Sequence, residues 1–361
     1  MRIAVIGTGL VGGSIGLALT ALGHEVVGFD RDHDRLARAQ ELGAIASSTD
    51  GIAAAGAGAD LAFVALPVGA IADAVVQLLD AGVPLVTDVG SVKGEVVAEV
   101  ARQCPQGAAR FIGGHPMAGS EQEGIDGARA DLFVGAAWVV TPTPATAEEA
   151  YAALSGVLRE LQAEVVAVTP EDHDVLVSFV SHVPQLAAST LMDVATTHEA
   201  QHRALLRLAA GGFRDMTRIA ASHPTIWLDI MTSNRDAILD ALDAYLVGLQ
   251  TARHIVATGD RDALKDLLDR ARAARRNLPV GISMATKLVE LRIPVPDRPG
   301  VLAEVTTLAG RLGVNVSDVE IAHSKEGGAG VLVLIVAADD ADEFEAGLHG
   351  LGYRTGRTDI E

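Results

Sequence analysis

Three domains in series are predicted: an α/β domain on a parallel sheet, an all-α domain, and a C-terminal α+β domain of ferredoxin-like layout. Three observations carry this. Residues 1–168 alternate short β-branched runs with Ala/Leu-rich amphipathic segments, helical periodicity alone runs from Thr169 to about Leu278, and a βαββαβ pattern closes the chain. A chain of 361 residues also exceeds what one core usually holds.

In the first region the apolar runs are Arg2–Ile6, Glu25–Phe29, Leu61–Leu66, Leu85–Val89, Phe111–Ile112, Ala137–Val140 and Val165–Val168. Apolar strands separated by helices imply a parallel sheet covered on both faces. Thr169-Pro170-Glu171-Asp172 then reads as a helix start: a capping Thr, Pro at the first helical position and acids in the first turn. Breaks at Gly211-Gly212 and His223-Pro224 divide the helical region, whose long helices are expected to pack against a second copy in a homodimer. After Asn277-Leu278-Pro279 come a strand Val289–Val295, a helix to Leu312, strands Asn315–Ala322 and Val331–Val336, a helix from about Asp342, and a last strand near Tyr353. The expected domains are 1–168, 169–281 and 287–361.

With 49% hydrophobic and 21% charged residues, global disorder is excluded. The formal charge of −19 disfavours nucleic acid and anionic lipid as partners, and an anionic substrate would need a local Arg. A single cysteine, Cys104, excludes an internal disulfide framework and fits a reducing cytoplasm. The N-terminal apolar stretch is broken by glycines at 7, 9, 12 and 13, so it reads as strand, turn and helix rather than signal peptide. No uninterrupted apolar run of about 20 residues is present, so a cytoplasmic protein without a membrane span is expected.

Gly7-Thr8-Gly9-Leu10-Val11-Gly12 follows a strand and opens a helix. Gly7 permits the tight turn, Gly9 lets the backbone approach a pyrophosphate, Leu10 begins the helix, and Gly12 allows close helix–strand packing. The next strand ends in Asp30, eighteen residues past Gly12, where an acid binds ribose hydroxyls. This is a Rossmann dinucleotide site. Asp30 repels the 2′-phosphate of NADP and favours NAD, an effect that Arg31 beside it partly offsets. No metal is expected.

Two strand ends carry polar clusters, Thr87–Lys93 and Gly113–Glu121, each after an apolar run. Ligands bind beyond the carboxyl ends of strands in open α/β sheets. His115, placed there near a nicotinamide, is a candidate base for a hydroxyl proton as hydride leaves the same substrate. An isolated loop His more often makes a structural hydrogen bond, and position is what favours the catalytic reading.

The glycine loop with Gly13-Ser14, the Asp88–Lys93 segment, His115-Pro116-Met117-Ala118-Gly119-Ser120-Glu121 and Gly212-Phe213-Arg214-Asp215-Met216-Thr217-Arg218-Ile219-Ala220 resemble the prephenate/arogenate dehydrogenase family. The likeness covers residues 1 to about 281 in the same order. The last section resembles an ACT domain through its element order and Asp297-Arg298-Pro299-Gly300-Val301-Leu302. The resemblance implies oxidative decarboxylation of a cyclohexadienol bearing a ring carboxylate. His115 would accept the hydroxyl proton, Ser91 would hydrogen-bond near His115 and the nicotinamide, Arg218 would pair with a substrate carboxylate, and Glu121 would help gate the pocket. It also implies tyrosine as an effector, at Asp297, Arg298, Pro299 and Gly300. The alternative is an ACT-like module that only stabilises a dimer.

In the helix from Pro170, Asp174, Ser178, Ser181, His182 and Gln185 recur at helical spacing among apolar residues, as in a cavity wall or a set of satisfied core groups beside Pro184. Ser181 and Gln185 are therefore substrate-binding candidates. Many relatives read Ser-His-x-Pro-His here. Gln185 replaces the second His, which leaves open prephenate, with its keto-acid side chain, or arogenate, with its amino-acid side chain. Trp227 lies in a segment that packs near the same end in relatives, or is core. A β-hydroxyacid dehydrogenase would need a catalytic Lys in the helical domain. Lys265, alone in 169–281, sits in a charged amphipathic segment. A non-catalytic sensor is the remaining rival.

Overall fold

The computed structural model describes the chain except residues 119–121, 123, 200–208, 278–287, 297, 324–328 and 361. It divides into two compact units, Met1–Thr251 and Ala252–Glu361.

The first unit opens with strands β1 (Arg2–Ile6), β2 (Glu25–Phe29), β3 (Ser47–Ser48), β4 (Leu61–Val64), β5 (Val86–Asp88), β6 (Phe111–Pro116), β7 (Ala137–Thr141) and β8 (Glu164–Ala167). They form one sheet in the order β3-β2-β1-β4-β5-β6-β7-β8. The helices between them are α1 (Leu10–Ala21), α2 (His33–Glu41), α3 (Ile52–Gly56), α4 (Val68–Asp80), α5 (Gly94–Gln103) and α6 (Glu148–Glu160). Successive strand residues serve opposite faces. Ile3, Val5, Leu61 and Phe63 join one buried cluster with Ile15, Leu19 and Trp138, while Ala4, Ile6, Ala62 and Val64 join another with Ile71, Val75 and Leu78. Both faces are apolar because both are covered.

Two strands depart from the expected parallel sheet: β7 runs antiparallel to β6, with His115 opposite Val139, and β8, parallel to β7, shares its direction. Residues 117–136 hold only a short 3₁₀ turn, Ile125–Gly127, among the described residues, and no crossover helix carries the chain back to the other sheet edge. A chain that returns without a crossover pairs antiparallel. β3, two serines long, was not expected either.

The helical region begins with α7 (Pro170–Val177), whose capping Thr169 accepts from the Asp172 N–H at 3.1 Å. A π-helical turn, Ser178–His182, joins it to α8 (Val183–Glu199). There the Val183 N–H reaches the carbonyl of Ser178, five residues back, next to Pro184, which has no N–H to give. Then follow α9 (Gly211–Thr217), a 3₁₀ turn Arg218–Ala221, α10 (Pro224–Ser233) and α11 (Arg235–Thr258). By length and composition alone Pro170–Thr197 is long and apolar enough to cross a membrane, a test that a core helix passes equally, and polar residues interrupt its apolar run as expected. His173, Asp174, His182 and Gln185 are buried along it, while Val175, Leu176, Phe179 and Val180 are exposed.

The second unit holds α12 (Arg261–Arg276) and the strands β9 (Leu288–Pro296), β10 (Val316–His323), β11 (Ala329–Ala337) and β12 (Gly356–Ile360), with α13 (Val301–Leu312) and α14 (Ala338–Gly350). The sheet order is β10-β11-β9-β12 with every pairing antiparallel, the ferredoxin-like arrangement. Leu291, Ile293, Val305, Leu334 and Phe344 are fully buried between sheet and helices. Tyr353 precedes the last strand rather than lying in it.

Candidate active site

Strand order reverses between β1 and β4, which opens a crevice at the carboxyl ends where the glycine loop lies. Gly7 has φ +92°, and a Cβ on it would lie 2.3 Å from the carbonyl oxygen of Ala65 at the end of β4. A Cβ on Gly12 would lie 1.8 Å from the Gly7 oxygen. Around Gly9, the N-cap of α1, there is open space, and Leu10 starts the helix. The loop thus offers free N–H groups at a positive helix end with no side chain in front, which fits a dinucleotide pyrophosphate.

Asp30 is buried. Its Oδ2 accepts from the Thr8 N–H at 2.8 Å and the Thr8 hydroxyl at 3.2 Å, and its Oδ1 accepts from the Asp32 N–H at 2.9 Å. The carboxylate therefore ties the end of β2 to the glycine loop, at the edge where a ribose would sit. Arg31 is exposed. The guanidinium beside Asp30 is that of Arg35, at 3.5 Å, brought back by the first turn of α2, which Asp32 caps.

The ends of β5 and β6 are fastened by a fully buried ion pair, Asp88 and Lys93. Lys93 Nζ also donates to the Gly114 carbonyl at 2.9 Å. Asp88 accepts from the N–H groups of Gly90 at 2.8 Å and Gly114 at 3.1 Å. The residue before His115 is thereby held from both sides. Burial pulls the Lys93 ammonium below its ordinary value, and Asp88 opposes this. Ser91 lies half-buried in the same β5–α5 loop. Among the described residues its hydroxyl makes no hydrogen bond to His115.

Instead, His115 Nδ1 lies 2.9 Å from His173 Nε2, and His173 Nδ1 lies 2.7 Å from Asp174 Oδ1. The two rings meet edge to face, 5.1 Å between centroids. Asp174 also accepts from the N–H groups of Lys93 and Gly94, both at 2.8 Å, so α7 docks onto the start of α5. Burial, with the neighbouring His173, Lys93 and His182, holds His115 well below the usual imidazole value. His115 is therefore a neutral ring near pH 7, able to accept a proton. His173 is not recognisable in the sequence as a site residue, since it contacts His115 only across 58 positions.

Along the same helix His182 is buried, its Nδ1 3.2 Å from Asn234 Nδ2, which also donates to the Asp174 carbonyl at 2.8 Å. Burial above all brings His182 down to about 4. Trp227 meets His182 edge-on at 6.2 Å and packs beside Ile230, so it belongs both to the core margin and to this cluster. Gln185 is buried with Nε2 3.4 Å from the Ser189 hydroxyl and, among the described residues, no partner for Oε1. Ser181 is half-buried, and Ser178 bonds back to the Val175 carbonyl, a structural role. Arg218 is exposed on the 3₁₀ turn after α9. Glu121 lies outside the described residues.

In the second unit Asp297 lies outside the described residues. Pro299 and Gly300 are exposed, and Gly300, φ +94°, caps α13. Arg298 binds both oxygens of Glu304 at 3.0 and 3.1 Å, and the Tyr353 hydroxyl donates to Glu304 at 2.6 Å. Tyr353 first, then Arg298, hold the Glu304 carboxyl below its ordinary value.

Residues 15–167 match the family model described as prephenate dehydrogenase, nucleotide-binding domain; 169–270 match prephenate dehydrogenase, dimerization domain; and 289–348 match the ACT domain. The chain is 33% identical over 344 residues to the prephenate dehydrogenase of Bacillus subtilis, covering 94% of this chain and 92% of the relative. A crystal structure of prephenate dehydrogenase from Aquifex aeolicus with hydroxyphenyl propionate and NAD+ superposes with a TM-score of 0.71 at 28% identity, covering 76% of this chain and 97% of that one. Synechocystis arogenate dehydrogenase superposes with a TM-score of 0.67 at 30% identity, covering 76% and 99%. A glycine loop at the switch point, a neutral histidine at a strand end and these matches along nearly the whole chain agree: it belongs to the prephenate dehydrogenase family.

Proposed function

We propose that this chain catalyses the NAD-dependent oxidative decarboxylation of prephenate to 4-hydroxyphenylpyruvate. The observation that carries this reading is His115 at the carboxyl end of β6, held neutral by burial, in the sheet whose switch point carries the glycine loop. Gly7, Gly9, Leu10 and Gly12 would hold the NAD pyrophosphate and Asp30 its ribose, and NAD when bound supplies the hydride acceptor. His115 takes the substrate hydroxyl proton. Arg218 supplies the local positive charge that a substrate carboxylate needs in a chain of charge −19. Loss of CO2 aromatises the ring, so the protein has to supply mainly orientation and one base. Ser91, on the loop that Lys93 anchors, would orient the nicotinamide side, and Ser181 and Trp227 would line the substrate pocket. Glu121 would gate it.

Gln185 favours a second reading. Its buried Oε1, unpartnered among the described residues, is an acceptor suited to the ammonium of arogenate. Steady-state NADH production with prephenate and arogenate in turn decides between them: the higher kcat/KM names the substrate, and no turnover with either refutes both.

A homodimer is supported by the exposed Phe179, Val180, Tyr245 and Val247 and by a groove of about 510 Å³ lined by Phe179, Val183, Met216, Ile219 and Tyr245. Sedimentation at a single-chain mass would contradict it. A cytoplasmic location fits the one reduced, buried Cys104. Tyrosine would regulate through the loop at Arg298, Pro299 and Gly300, its carboxylate on the N–H groups opening α13 and its ammonium facing Glu304. A truncation ending near Gly281 should lose that component of inhibition; equal inhibition of truncated and full chains would make the last domain structural.

A further inference from the structure

We infer that His173 and Asp174 are positioning residues that fix the reactive tautomer of His115, an inference that rests on reading His115 as the base. The chain of hydrogen bonds has one direction. Asp174 accepts from two backbone N–H groups, at Lys93 and Gly94, and its carboxylate has only acceptors to offer. His173 Nδ1, at 2.7 Å from that carboxylate, must carry its proton. A neutral imidazole holds one, so His173 Nε2 is left with a lone pair. That lone pair faces His115 Nδ1 at 2.9 Å, which places the His115 proton on Nδ1 and leaves Nε2 bare. Only the bare nitrogen can take a hydroxyl proton. Once Nε2 is protonated, the positive ring donates through Nδ1 to an acceptor already aligned by Asp174.

Neighbouring groups cannot replace this chain. Lys93 is engaged by Asp88 and the Gly114 carbonyl, and His182 Nδ1 by Asn234. Asn234 also donates to the Asp174 carbonyl, which ties Asp174, His182 and Asn234 together. His173 is 1% exposed, which leaves no water to offer His115 Nδ1 an alternative acceptor from that side.

The test uses the full-length enzyme and NADH production. His173→Phe keeps a ring of similar size but removes the acceptor, and should lower kcat about 100-fold while KM for substrate and for NAD stays within about threefold. His173→Gln, whose amide oxygen accepts from His115 Nδ1, should recover about tenfold of that loss. Asp174→Ala removes the acceptor that fixes the His173 Nδ1 proton and should cost kcat at least about 100-fold. Ring ¹⁵N NMR of the unmodified enzyme should show the His115 proton on Nδ1, a readout independent of how any variant folds. Full kcat in His173→Phe, no recovery in His173→Gln, or a His115 proton on Nε2 overturns the inference. His115→Asn separates the two readings: if it keeps full kcat, the base assignment itself fails, whereas a slow His115→Asn beside a fast His173→Phe removes only the positioning role.

Discussion

The Lys93 ammonium, fully buried, spans from the Asp88 carboxylate at the end of β5 to the Gly114 carbonyl in β6, one residue before His115. Removing one partner of a buried pair leaves the other charge without compensation, at a cost of about 3–5 kcal/mol. Lys93→Met should therefore lower the free energy of unfolding by about that amount in urea titrations, and Lys93→Met with Asp88→Leu should recover part of it. A loss below about 1 kcal/mol would show that the pair does not fasten these strands.

Asp30 should set cofactor choice. With Asp30 as the ribose ligand, its carboxylate would repel a 2′-phosphate, and Arg35, 3.5 Å from that carboxylate, would offset the repulsion only in part. Asp30→Ser should raise kcat/KM for NADP relative to NAD by at least about tenfold, or about 1.4 kcal/mol. Equal use of both cofactors by the unmodified enzyme would contradict the assignment.

Arg218 should act in binding rather than in the chemical step, since a substrate carboxylate is paired in ground and transition states alike. Arg218→Ala should raise KM at least about tenfold with a much smaller change in kcat. An unchanged KM would make Arg218 part of a structural surface.

Acid should unfold the protein through its buried imidazoles. His182 is held at about 4 and His115 is lowered as well, against an ordinary 6.5. Below 6.5 the unfolded chain binds protons that the fold excludes, so this stability is full above 6.5 and is lost as pH falls towards 4. Urea midpoints should be level from pH 8 to 7 and fall from 6.5 to 5, less steeply in His182→Gln. A midpoint constant down to pH 5 would contradict the burial of neutral rings.

Local chemistry made much of this legible in sequence. Gly7 and Gly12 are glycines because a Cβ would strike the backbone, and the spacing to Asp30 follows from one helix and one strand. The helix start at Pro170 was legible from its Thr169 cap, and the breaks at Gly211-Gly212 and His223-Pro224 fall where α9 and α10 begin. The direction of β7 was not, because Ala137–Thr141 presents the same apolar run whichever way it pairs. Nor was β3, since Ser47-Ser48 carries no strand pattern. In the candidate site, His115 stood out in sequence by its strand-end position and Asp174 only as part of a polar helical stripe, and their link through His173 depends on α7 docking against α5, which no local spacing encodes. Arg35 was hidden likewise: only the turn capped by Asp32 folds it back to Asp30, where Arg31 is nearer in sequence but exposed.

The most direct measurement is kcat for NADH formation by the unmodified enzyme and by His115→Asn, at saturating NAD and saturating prephenate or arogenate. The account predicts turnover by the unmodified enzyme with at least one of the two, and a fall of about 100-fold or more in the variant with NAD affinity nearly unchanged. Activity within a factor of a few in His115→Asn would contradict it, because the proton would then leave the substrate by a route that His115 does not provide.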